Sequence, residues 1–359
     1  MKKFLSSNLK IFYNKKVLVT GHTGFKGTWL CLWLEMLGAK VIGYSIDIPT
    51  KPSLFELTKP KCTDIRGDIK DLKKLKSVIK KYKPEIIFHL AAQAVVSQSY
   101  KETLNTLNTN IIGTSTIFEA IKETKIVKAV VAITTDKVYL NNETGKPFKE
   151  TDSLGGYDPY SASKAACEII ISSYRDSFFN IKDYGKTHKT LIASARSGNS
   201  IGGGDFAKDR LVPDVVKAIL ANKKPVVRNP KSIRPWQHVL EPLKCYLLLG
   251  AKLLKGKKEF ATAWNFGPEN DEIKTVEQIV TSLCKKFGKV KYTTDKIKHF
   301  HETQCLKLDI SKAKKELGLK QRWNTNIALD KIADWTKAYQ QKKDVRKVCI
   351  EQIKDFMKG

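Results

Sequence analysis

The sequence lacks an apolar run long enough to cross a bilayer. The longest runs, such as residues 127–133 with a lysine at 128, are far shorter than the roughly 20 residues that a membrane helix needs. The first sixteen residues are rich in lysine but have no continuous apolar segment and no small-residue cleavage site. We therefore expect a short leader to the first strand and not a signal peptide. These absences predict a cytoplasmic protein without membrane partners.

Cysteine patterns typical of metal sites are also missing. The seven cysteines lie at positions 31, 62, 167, 245, 284, 305 and 349, without a C-x-x-C pair or a histidine cluster at zinc-ligand spacing. The sequence therefore predicts no bound metal. Scattered free thiols are typical of a reducing cytoplasm.

Acidic residues are scarce, since 65 Lys and Arg against 36 Asp and Glu give a net charge of +29. Nucleic-acid binding depends on clustered cations. Here the lysines occur in pairs along the whole chain, chiefly on predicted amphipathic helices such as residues 71–83 and 311–317. That pattern is typical of solvated helix faces. We therefore expect anionic small molecules, and not nucleic acid, as partners.

Short β-rich runs alternate with helical patterns through the first half of the chain. Such alternation predicts an α/β fold with a Rossmann-type doubly wound parallel sheet. The predicted segments are strand 16–20, helix 29–37, strand 41–45, helix 72–82, strand 86–90, helix 110–122, strand 129–134, a helix carrying Tyr160, and strand 189–195. The alternation fades after residue 200. We expect a nucleotide-binding domain at 12–200, joined by part of 235–265, and a smaller C-terminal substrate-binding lobe at 201–359.

A glycine-rich turn joins the first predicted strand to the first helix. Gly21, Gly24 and Gly27 form the pattern G-x-x-G-x-x-G. Glycine allows a tight turn, and the helix N-terminus then presents amides to a pyrophosphate. A merely structural turn is the alternative, but the strand-to-helix context favours a dinucleotide. The cofactor contacts expected here are Gly21, Thr23, Gly24, Phe25, Lys26 and Gly27.

The end of the second strand favours NAD over NADP. Asp47 lies 20 residues after Gly27, where an acidic residue commonly binds the cofactor ribose, although Ser45 is nearer the usual strand end. No Arg or Lys stands beside Ser45 to bind a 2′-phosphate. Asp68, followed by Ile69, is expected to accept a hydrogen bond from the adenine amine. Helix capping is the alternative role of Asp68.

Tyr160 and Lys164 are four residues apart, so a helix places the phenol and the ammonium on one face. A nearby cation favours phenolate and predicts a pKa of Tyr160 below the usual value of about 10. A phenolate of that kind can take a proton from an alcohol. A solvated helix face would show the same spacing, so the other motifs must decide between the two interpretations.

Five blocks together resemble the extended short-chain dehydrogenase/reductase family: residues 20–27, 89–93, Asn110, 134–137 and 160–164. Segments at 155–161, 194–196 with 198–199, 201–205, 234–239 and 264–268 are similar to the nucleotide-sugar 4,6-dehydratases of that family. The resemblance implies an NAD-dependent enzyme with CDP-glucose as substrate, a homodimer or homotetramer, in deoxysugar synthesis for polysaccharides such as O-antigen. It adds cofactor contacts from Leu90, Ala91, Ala92, Gln93, Asn110, Thr134, Tyr160 and Lys164.

The resemblance also implies catalytic roles. Tyr160 would take the proton of the sugar 4-hydroxyl as hydride leaves for NAD, and Lys164 would lower the tyrosine pKa and hold the nicotinamide ribose. Thr135 would bind the 4-oxygen, Asp136 would protonate the departing 6-hydroxyl, and Lys137 would remove the C5 proton, for which its pKa must be lowered. Related dTDP-glucose dehydratases carry glutamate in place of Lys137. The structural alternative is an ion pair of Asp136 with Lys137 at a strand end.

Arg234 is the main candidate for the substrate phosphates, because a guanidinium pairs bidentately with phosphate. Asn199, Arg210 and Arg228 are expected companions around the nucleotide. His238 is a further candidate for substrate contact, with a packed position in its loop as the alternative. The implied site is thus a nucleotide-sugar site beside a dinucleotide site.

Three positions depart from the pattern of the CDP-glucose enzymes: Ser97 replaces arginine, the loop 141–149 lacks its usual tryptophans, and Leu319 replaces tryptophan. The first two lie near the expected entrance for the sugar or the cofactor, so they bear on which sugar binds and on whether NAD is retained. None of the three removes a proposed catalytic group. His89 is expected to be structural and near the cofactor. The rival functions are a dehydratase or epimerase for another nucleotide hexose and a non-catalytic nucleotide-sugar-binding protein. An epimerase would not need Asp136 and Lys137.

Overall fold

Seven parallel strands form the central sheet of the computed structural model, which describes residues 8–269, 273–288, 291–295 and 303–358. They are β1 (Lys16–Thr20), β2 (Lys40–Ser45), β3 (Thr63–Arg66), β4 (Ile86–His89), β5 (Ala129–Ile133), β6 (Leu191–Ser197) and β7 (Ala263–Phe266). Their spatial order is β7-β6-β5-β4-β1-β2-β3. The order reverses between β1 and β4, and doubly wound sheets bind ligands outside the carboxyl ends of strands at such a switch point. The predicted Rossmann-type fold is confirmed.

Helices cover both faces of the sheet and form much of the described C-terminal part. They are α1 (Phe25–Met36), α2 (Leu54–Thr58), α3 (Leu72–Tyr82), α4 (Val96–Lys101), α5 (Thr103–Leu107), α6 (Gly113–Thr124), α7 (Pro159–Ser177), α8 (Leu211–Leu220), α9 (Leu240–Leu254), α10 (Val276–Lys286), α11 (Ser311–Leu317), α12 (Thr325–Gln340) and α13 (Val345–Lys358). A π-helical segment, Asn108–Ile112, precedes α6, and 3-10 turns lie at Leu9–Phe12, Asp136–Val138 and Lys258–Phe260. Within the described ranges, no helix is long and apolar enough to cross a membrane.

Short two-residue strands lie outside the central sheet. Ser200–Ile201 pairs with Gln237–His238, Ile233–Arg234 with Lys274–Thr275, and Val226–Val227 with Thr293–Thr294. These small pairings hold the loops of the C-terminal part in place beyond the carboxyl ends of β6 and β7. The regular alternation seen in the first half of the chain therefore ends where this irregular part begins.

Both faces of the sheet are buried. In β1, Val17 and Val19 pack into the layer that contains α1 and α9, while Leu18 packs into the layer formed by α3, α6 and α7. A parallel sheet buried on both faces needs apolar residues on both sides of each strand, which explains its near-continuous apolar strands. A third apolar cluster, which includes Val215 and Leu283, joins α8, α10 and α12.

Local sequence explains where several helices begin. Gly24 is the N-cap of α1, so the helix starts at Phe25 and not at the predicted residue 29. Asp71 caps α3 by accepting a hydrogen bond from the Lys74 amide at 2.9 Å. Asp68 is therefore not the cap of α3, which removes the alternative that capping offered for it. The helix predicted at 110–122 starts with the π-helical segment before α6.

Three sheet strands differ clearly from the sequence prediction, one of which is β7, where no strand was predicted. The prediction omits β3, because Thr-Asp-Ile-Arg has too few apolar residues to show a strand pattern. The last strand of the alternating part, β6, runs from Leu191 to Ser197, later than the predicted 189–195. Tertiary pairing with β2 and with β7 sets these bounds.

The C-terminal half returns to the central sheet twice. Strand β7 pairs with β6 at the sheet edge, and α9 packs in the same apolar layer as α1. Helix α13 then packs on α1, with the rings of Trp33 and Phe356 5.7 Å apart and the Arg346 guanidinium 2.6 Å from the Glu35 carboxylate. The division into domains at residues 200 and 201 stays a prediction.

Candidate active site

The glycine-rich turn lies at the carboxyl end of β1 and is closely packed. Gly21 has φ +73°, and a Cβ at this position would lie 2.8 Å from the Ala91 amide nitrogen. A Cβ on Gly27 would lie 2.1 Å from the Gly21 carbonyl oxygen. Among the described residues, no side chain caps the first amides of α1. The turn therefore offers the close backbone approach and the helix N-terminus that a pyrophosphate needs.

The end of β2 is occupied by a hydrogen-bonded cluster. The Ser45 hydroxyl lies 2.8 Å from His22 Nδ1, and the Thr23 hydroxyl donates to the Asp47 carbonyl at 2.6 Å. Arg66 of β3 is paired in register with Ser45. This cation was not among the predicted residues beside Ser45, because β3 has no recognisable strand pattern in the sequence. The charge of Arg66 is compensated by Asp64 at 2.7 Å, which weakens it as a 2′-phosphate site.

The candidate adenine contacts lie at the start of α3. The Asp68 carboxylate accepts from the Lys70 amide at 2.9 Å, and the Asp68 carbonyl accepts from the Tyr44 hydroxyl at 2.8 Å. Ile69 is buried against Gly113, where an added Cβ would lie 2.5 Å from the Ile69 side chain. Asp68 is half-exposed beside Lys70, so its carboxylate remains accessible at the surface.

The segment after β4 is tied to the helix that carries Tyr160. The Thr20 hydroxyl accepts from the Leu90 and Ala91 amides at 3.1 and 3.2 Å. Asn110 accepts from the Gln93 amide at 2.8 Å and donates to the Gln93 carbonyl at 3.0 Å. The Asn110 amide also donates to Ser163 of α7 at 2.8 Å. A π-helical turn carries Asn110, and such turns are frequent at functional sites.

His89, at the end of β4, is part of the interior. Its Nδ1 lies 2.8 Å from the Thr20 hydroxyl and its Nε2 lies 3.3 Å from the Thr114 hydroxyl. Burial, together with the nearby Lys164 ammonium, lowers the pKa of His89 to about 3. A neutral imidazole with both nitrogens hydrogen-bonded fits the expected structural role.

Helix α7 places Tyr160 and Lys164 on one buried face. Asp158 caps the helix by accepting from the Ser161 amide at 2.9 Å, and Pro159 occupies the first turn. The Lys164 ammonium donates to the Ile133 carbonyl at 3.3 Å, at the end of β5. The solvated-face alternative is thus excluded, because both side chains are buried.

The pKa of Tyr160 differs from the sequence expectation. Burial raises the pKa of Tyr160 to about 12, while a hydrogen bond with Thr135 and the charge of Arg210 lower it in part. The prediction that the pKa of Tyr160 lies below 10 is therefore wrong. The reason is that removing the phenolate from water costs more than these neighbours restore. Burial also lowers the pKa of Lys164.

Residues 135–137 follow β5 and lie beside Tyr160. Thr135 donates to Asp136 Oδ1 at 3.0 Å, and the 3-10 turn Asp136–Val138 begins there. Asp136 is buried, and its Oδ2 has no hydrogen-bond partner in the described part of the chain. Burial raises the pKa of Asp136 above its usual range. The charge of Lys137, the hydrogen bond from Thr135 and the charges of more distant cations lower it in part. A buried acid with one unused oxygen suits a proton donor.

Lys26 extends from the glycine-rich turn towards these groups. Its ammonium donates to Ser197 at 3.1 Å, and Ser197 is 2.6 Å from the Tyr246 hydroxyl. Burial lowers the pKa of Lys26 to about 8, with Arg210 and Lys164 acting in the same direction and Asp136 opposing them. Neither Ser197 nor Tyr246 was a predicted site residue, because neither belongs to a recognisable motif.

Two of the predicted phosphate ligands lie near the catalytic candidates. Arg234 is buried, donates to the Ile233 and Gln304 carbonyls at 2.9 and 3.2 Å, and lowers the pKa of Asp136. Arg210 forms an ion pair with Asp205 at 3.3 Å and acts electrostatically on Tyr160. Both guanidinium groups are thus placed at the same end of the sheet as residues 135–137.

The remaining substrate candidates have other surroundings. Arg228 pairs with Asp209 at 2.9 Å, and Asp209 also accepts from the Ser97 hydroxyl at 2.7 Å. Ser97, the residue that replaces an expected arginine, therefore connects α4 to the segment before α8 through Asp209. The Asn199 carbonyl accepts from the Gln237 amide at 3.0 Å.

His238 is fully buried among aromatic side chains. Its ring lies edge-on to Trp29 and Trp323, with centroids 6.0 and 4.8 Å away. Burial lowers its pKa to about 3. These contacts match the packed-loop alternative, and a substrate contact by His238 would require the tryptophans to move.

Comparison with known proteins gives one family and several relatives. A family model described as GDP-mannose 4,6 dehydratase matches residues 18–332. CDP-glucose 4,6-dehydratase of Salmonella typhimurium is 45% identical over 348 residues, 96% of each chain. dTDP-glucose 4,6-dehydratase of Haemophilus influenzae is 26% identical and covers 88% of this chain and 94% of its own. The structure of dTDP-glucose 4,6-dehydratase of Bacillus anthracis in complex with NAD has a TM-score of 0.75 at 22% identity, over 92% of this chain and 98% of that chain.

Proposed function

This chain belongs to the GDP-mannose 4,6-dehydratase family, within the extended short-chain dehydrogenases/reductases, and we propose that it converts CDP-glucose to CDP-4-keto-6-deoxyglucose with NAD as cofactor. The observation that carries the proposal is the buried Asp136 carboxyl beside Thr135 and Tyr160. An oxidation at C4 alone needs the tyrosine, whereas elimination at C5 and C6 also needs an acid. The Salmonella relative, whose name is CDP-glucose 4,6-dehydratase, supports the choice of nucleotide and sugar.

Two groups of residues carry out different steps of the proposed reaction. The oxidation pair consists of Tyr160 and Lys164, and the elimination segment consists of residues 135–137. NAD, when bound, would supply the hydride acceptor for C4 and the hydride donor for C6. The glycine-rich turn at 21–27 would hold its pyrophosphate, with Asp47 and Asp68 on the adenosine side.

The oxidation pair acts first in this proposal. Tyr160 takes the proton of the 4-hydroxyl, while Lys164 stabilises the phenolate. The pKa of Tyr160 is about 12, yet the tyrosine must lose its proton. Positive charge near its hydroxyl in the complex with substrate and cofactor must therefore stabilise the phenolate. Thr135 holds the resulting 4-ketone oxygen.

The elimination segment acts on the ketone. Lys137 removes the C5 proton, which the 4-ketone has made acidic. Asp136, whose protonated form is favoured by burial, gives its proton to the 6-hydroxyl, which leaves as water. The C5–C6 double bond then accepts a hydride, one hydrogen with two electrons, at C6 and a proton from Lys137 at C5. The proton that Tyr160 took from the 4-hydroxyl compensates for the one that Asp136 lost to the leaving water, so the net change is the loss of one water molecule.

A homodimer or homotetramer is the second part of the proposal. The helices next to the site expose apolar side chains to solvent: Leu104 is 75% exposed, Ile112 50% and Ile169 59%. An exposed apolar face on adjacent helices is typical of an interface between copies. Light scattering should give a mass of at least two chains, and Ile169→Glu should reduce it. A cytoplasmic location is proposed as well, since all seven cysteines are free.

The test is a panel of nucleotide hexoses incubated with the purified protein and NAD. We expect CDP-glucose to give the alkali-induced absorbance of a 4-keto sugar, a product without the 6-hydroxyl, and no net NADH. Faster turnover of dTDP-glucose, UDP-glucose or GDP-mannose would assign another substrate. A product that keeps its 6-hydroxyl would indicate an epimerase, and binding without turnover would indicate a binding protein.

A further inference from the structure

A buried ion pair lies next to both proposed catalytic groups. Arg196 of β6 and Glu168 of α7 are 2.8 Å apart, and only 5% and 3% of their side chains are exposed. Glu168 is four residues after Lys164 and therefore continues the helix face of the oxidation pair. The dehydration chemistry requires neither residue to touch the sugar.

Glu168 binds the residue that precedes the elimination segment. One carboxylate oxygen accepts a hydrogen bond from the Thr134 hydroxyl, and the other accepts from Ser194 at 2.8 Å and from Arg196. Thr134 is directly bonded to Thr135. The carboxylate thus fixes the start of the segment to the helix of Tyr160 and Lys164.

Arg196 binds Tyr139, which lies two residues after the end of the segment. Its Nη1 donates to the Tyr139 hydroxyl at 2.9 Å and to the Glu150 carbonyl at 3.0 Å. The guanidinium also lies 5.1 Å from the centre of the Tyr139 ring. Tyr139 in turn donates to Asn265 of β7 at 2.6 Å. The end of the segment is therefore held from the other partner of the same ion pair.

We propose that the Glu168–Arg196 pair is a positioning device that keeps residues 135–137 aligned with Tyr160 and Lys164, so that both groups act on one bound sugar. A buried ion pair is a weak source of stability, because desolvation of the two charges offsets their attraction. Alignment is a separate benefit, since a displacement of about 1 Å at a reacting centre can slow a step by about a hundredfold. The inference rests on the proposed dehydratase reaction.

The test removes one contact at a time without leaving an unpaired charge. Thr134→Val and Tyr139→Phe each cut a contact to the ion pair at one end of the segment. Ser194→Ala is the matched control, because it removes a hydroxyl donor to the same Glu168 carboxylate but is not adjacent to the segment. Thermal unfolding first establishes that all three variants are folded. A double variant, Glu168→Gln with Arg196→Met, removes both charges together.

Two readouts separate the catalytic groups. Transient formation of reduced nicotinamide reports the oxidation pair, and exchange of the C5 hydrogen of the 4-keto product in heavy water reports Lys137 without a redox step. We expect Thr134→Val, Tyr139→Phe and the double variant to slow C5 exchange about tenfold or more relative to oxidation. Ser194→Ala should change that ratio less than about threefold.

Three results would overturn the inference. The first is an equal loss in both readouts, which would indicate general structural damage. The second is the same change in ratio for Ser194→Ala, and the third is an unchanged ratio in folded Thr134→Val and Tyr139→Phe. Failure of the proposed function itself would look different, because wild-type protein would then give neither reduced nicotinamide nor C5 exchange.

Discussion

The oxidation pair and the elimination segment are held in place in different ways. Tyr160 and Lys164 belong to one helix, so a spacing of four residues is enough to put them on one buried face. Residues 135–137 lie in a 3-10 turn after β5, and their surroundings come from α7, β6, β7 and the glycine-rich turn. Local sequence therefore determines the first group, whereas tertiary contacts determine the second.

The largest expected effect comes from the oxidation pair, on which the whole reaction depends. Tyr160→Phe removes the hydroxyl that takes the sugar proton, and the first oxidation should fall by about a thousandfold. Transient formation of reduced nicotinamide measures it. Tyr157→Phe is the control, because Tyr157 is 75% exposed in the same segment. Near-wild-type oxidation by Tyr160→Phe would remove Tyr160 from the mechanism.

A change in the elimination segment should separate the two groups. Lys137→Ala should leave oxidation measurable but slow loss of the 6-hydroxyl by about a hundredfold or more, because the C5 base is missing. Product analysis by NMR distinguishes the unreacted 4-keto hexose from the 6-deoxy product. Lys146→Ala, at an exposed position in the following loop, should behave like wild type. If Lys137→Ala eliminates water at the normal rate, another residue is the base.

The pH dependence should differ between the two groups. Oxidation needs deprotonated Tyr160 and should speed up as pH rises. Elimination needs neutral Lys137 and protonated Asp136, so its rate should pass through a maximum and then fall as pH rises through the raised pKa of Asp136. Lys26 lowers the pKa of Asp136. Lys26→Met should therefore shift the loss of elimination at high pH upward. A downward shift, or no shift, in stopped-flow pH profiles would contradict this placement of Lys26.

The smallest effect at neutral pH is expected in the buried supports of the site. His89 and His238 have pKa values of about 3 in the folded protein against 6.5 ordinarily. Between those values the unfolded chain binds more protons, so the free energy of unfolding falls as pH drops, by about 1.4 kcal/mol per pH unit for each histidine. His238→Phe should flatten the slope in urea unfolding between pH 6 and about 4. An unchanged slope would show that His238 titrates normally.

The same contrast explains what could be predicted from the sequence. The bounds of β1 and α3 were predictable because their hydrophobic patterns are regular. The glycine-rich turn and the Tyr160–Lys164 spacing are local patterns as well. Helix α1 starts earlier than predicted, since a glycine cap leaves little signal.

Other parts of the site depend on contacts between distant segments. Strand β3 is a strand only because β2 pairs with it. Lys26, Ser197 and Tyr246 meet from three elements, and Arg196 of β6 pairs with Glu168 of α7. Burial also reversed the predicted direction of the Tyr160 pKa, because desolvation depends on the whole fold. Only the position of Glu168, four residues after Lys164, offered a sequence signal.

The central claim is that the two groups act in succession on one sugar, with the electrons taken from C4 returned to C6. Incubation of CDP-glucose deuterated at C4 with the protein and NAD tests this most directly, with the product examined by mass spectrometry and NMR. The proposed mechanism predicts deuterium at C6 of the 6-deoxy product, without net reduced nicotinamide. Deuterium kept at C4, or lost to a stoichiometric amount of reduced nicotinamide, would contradict it.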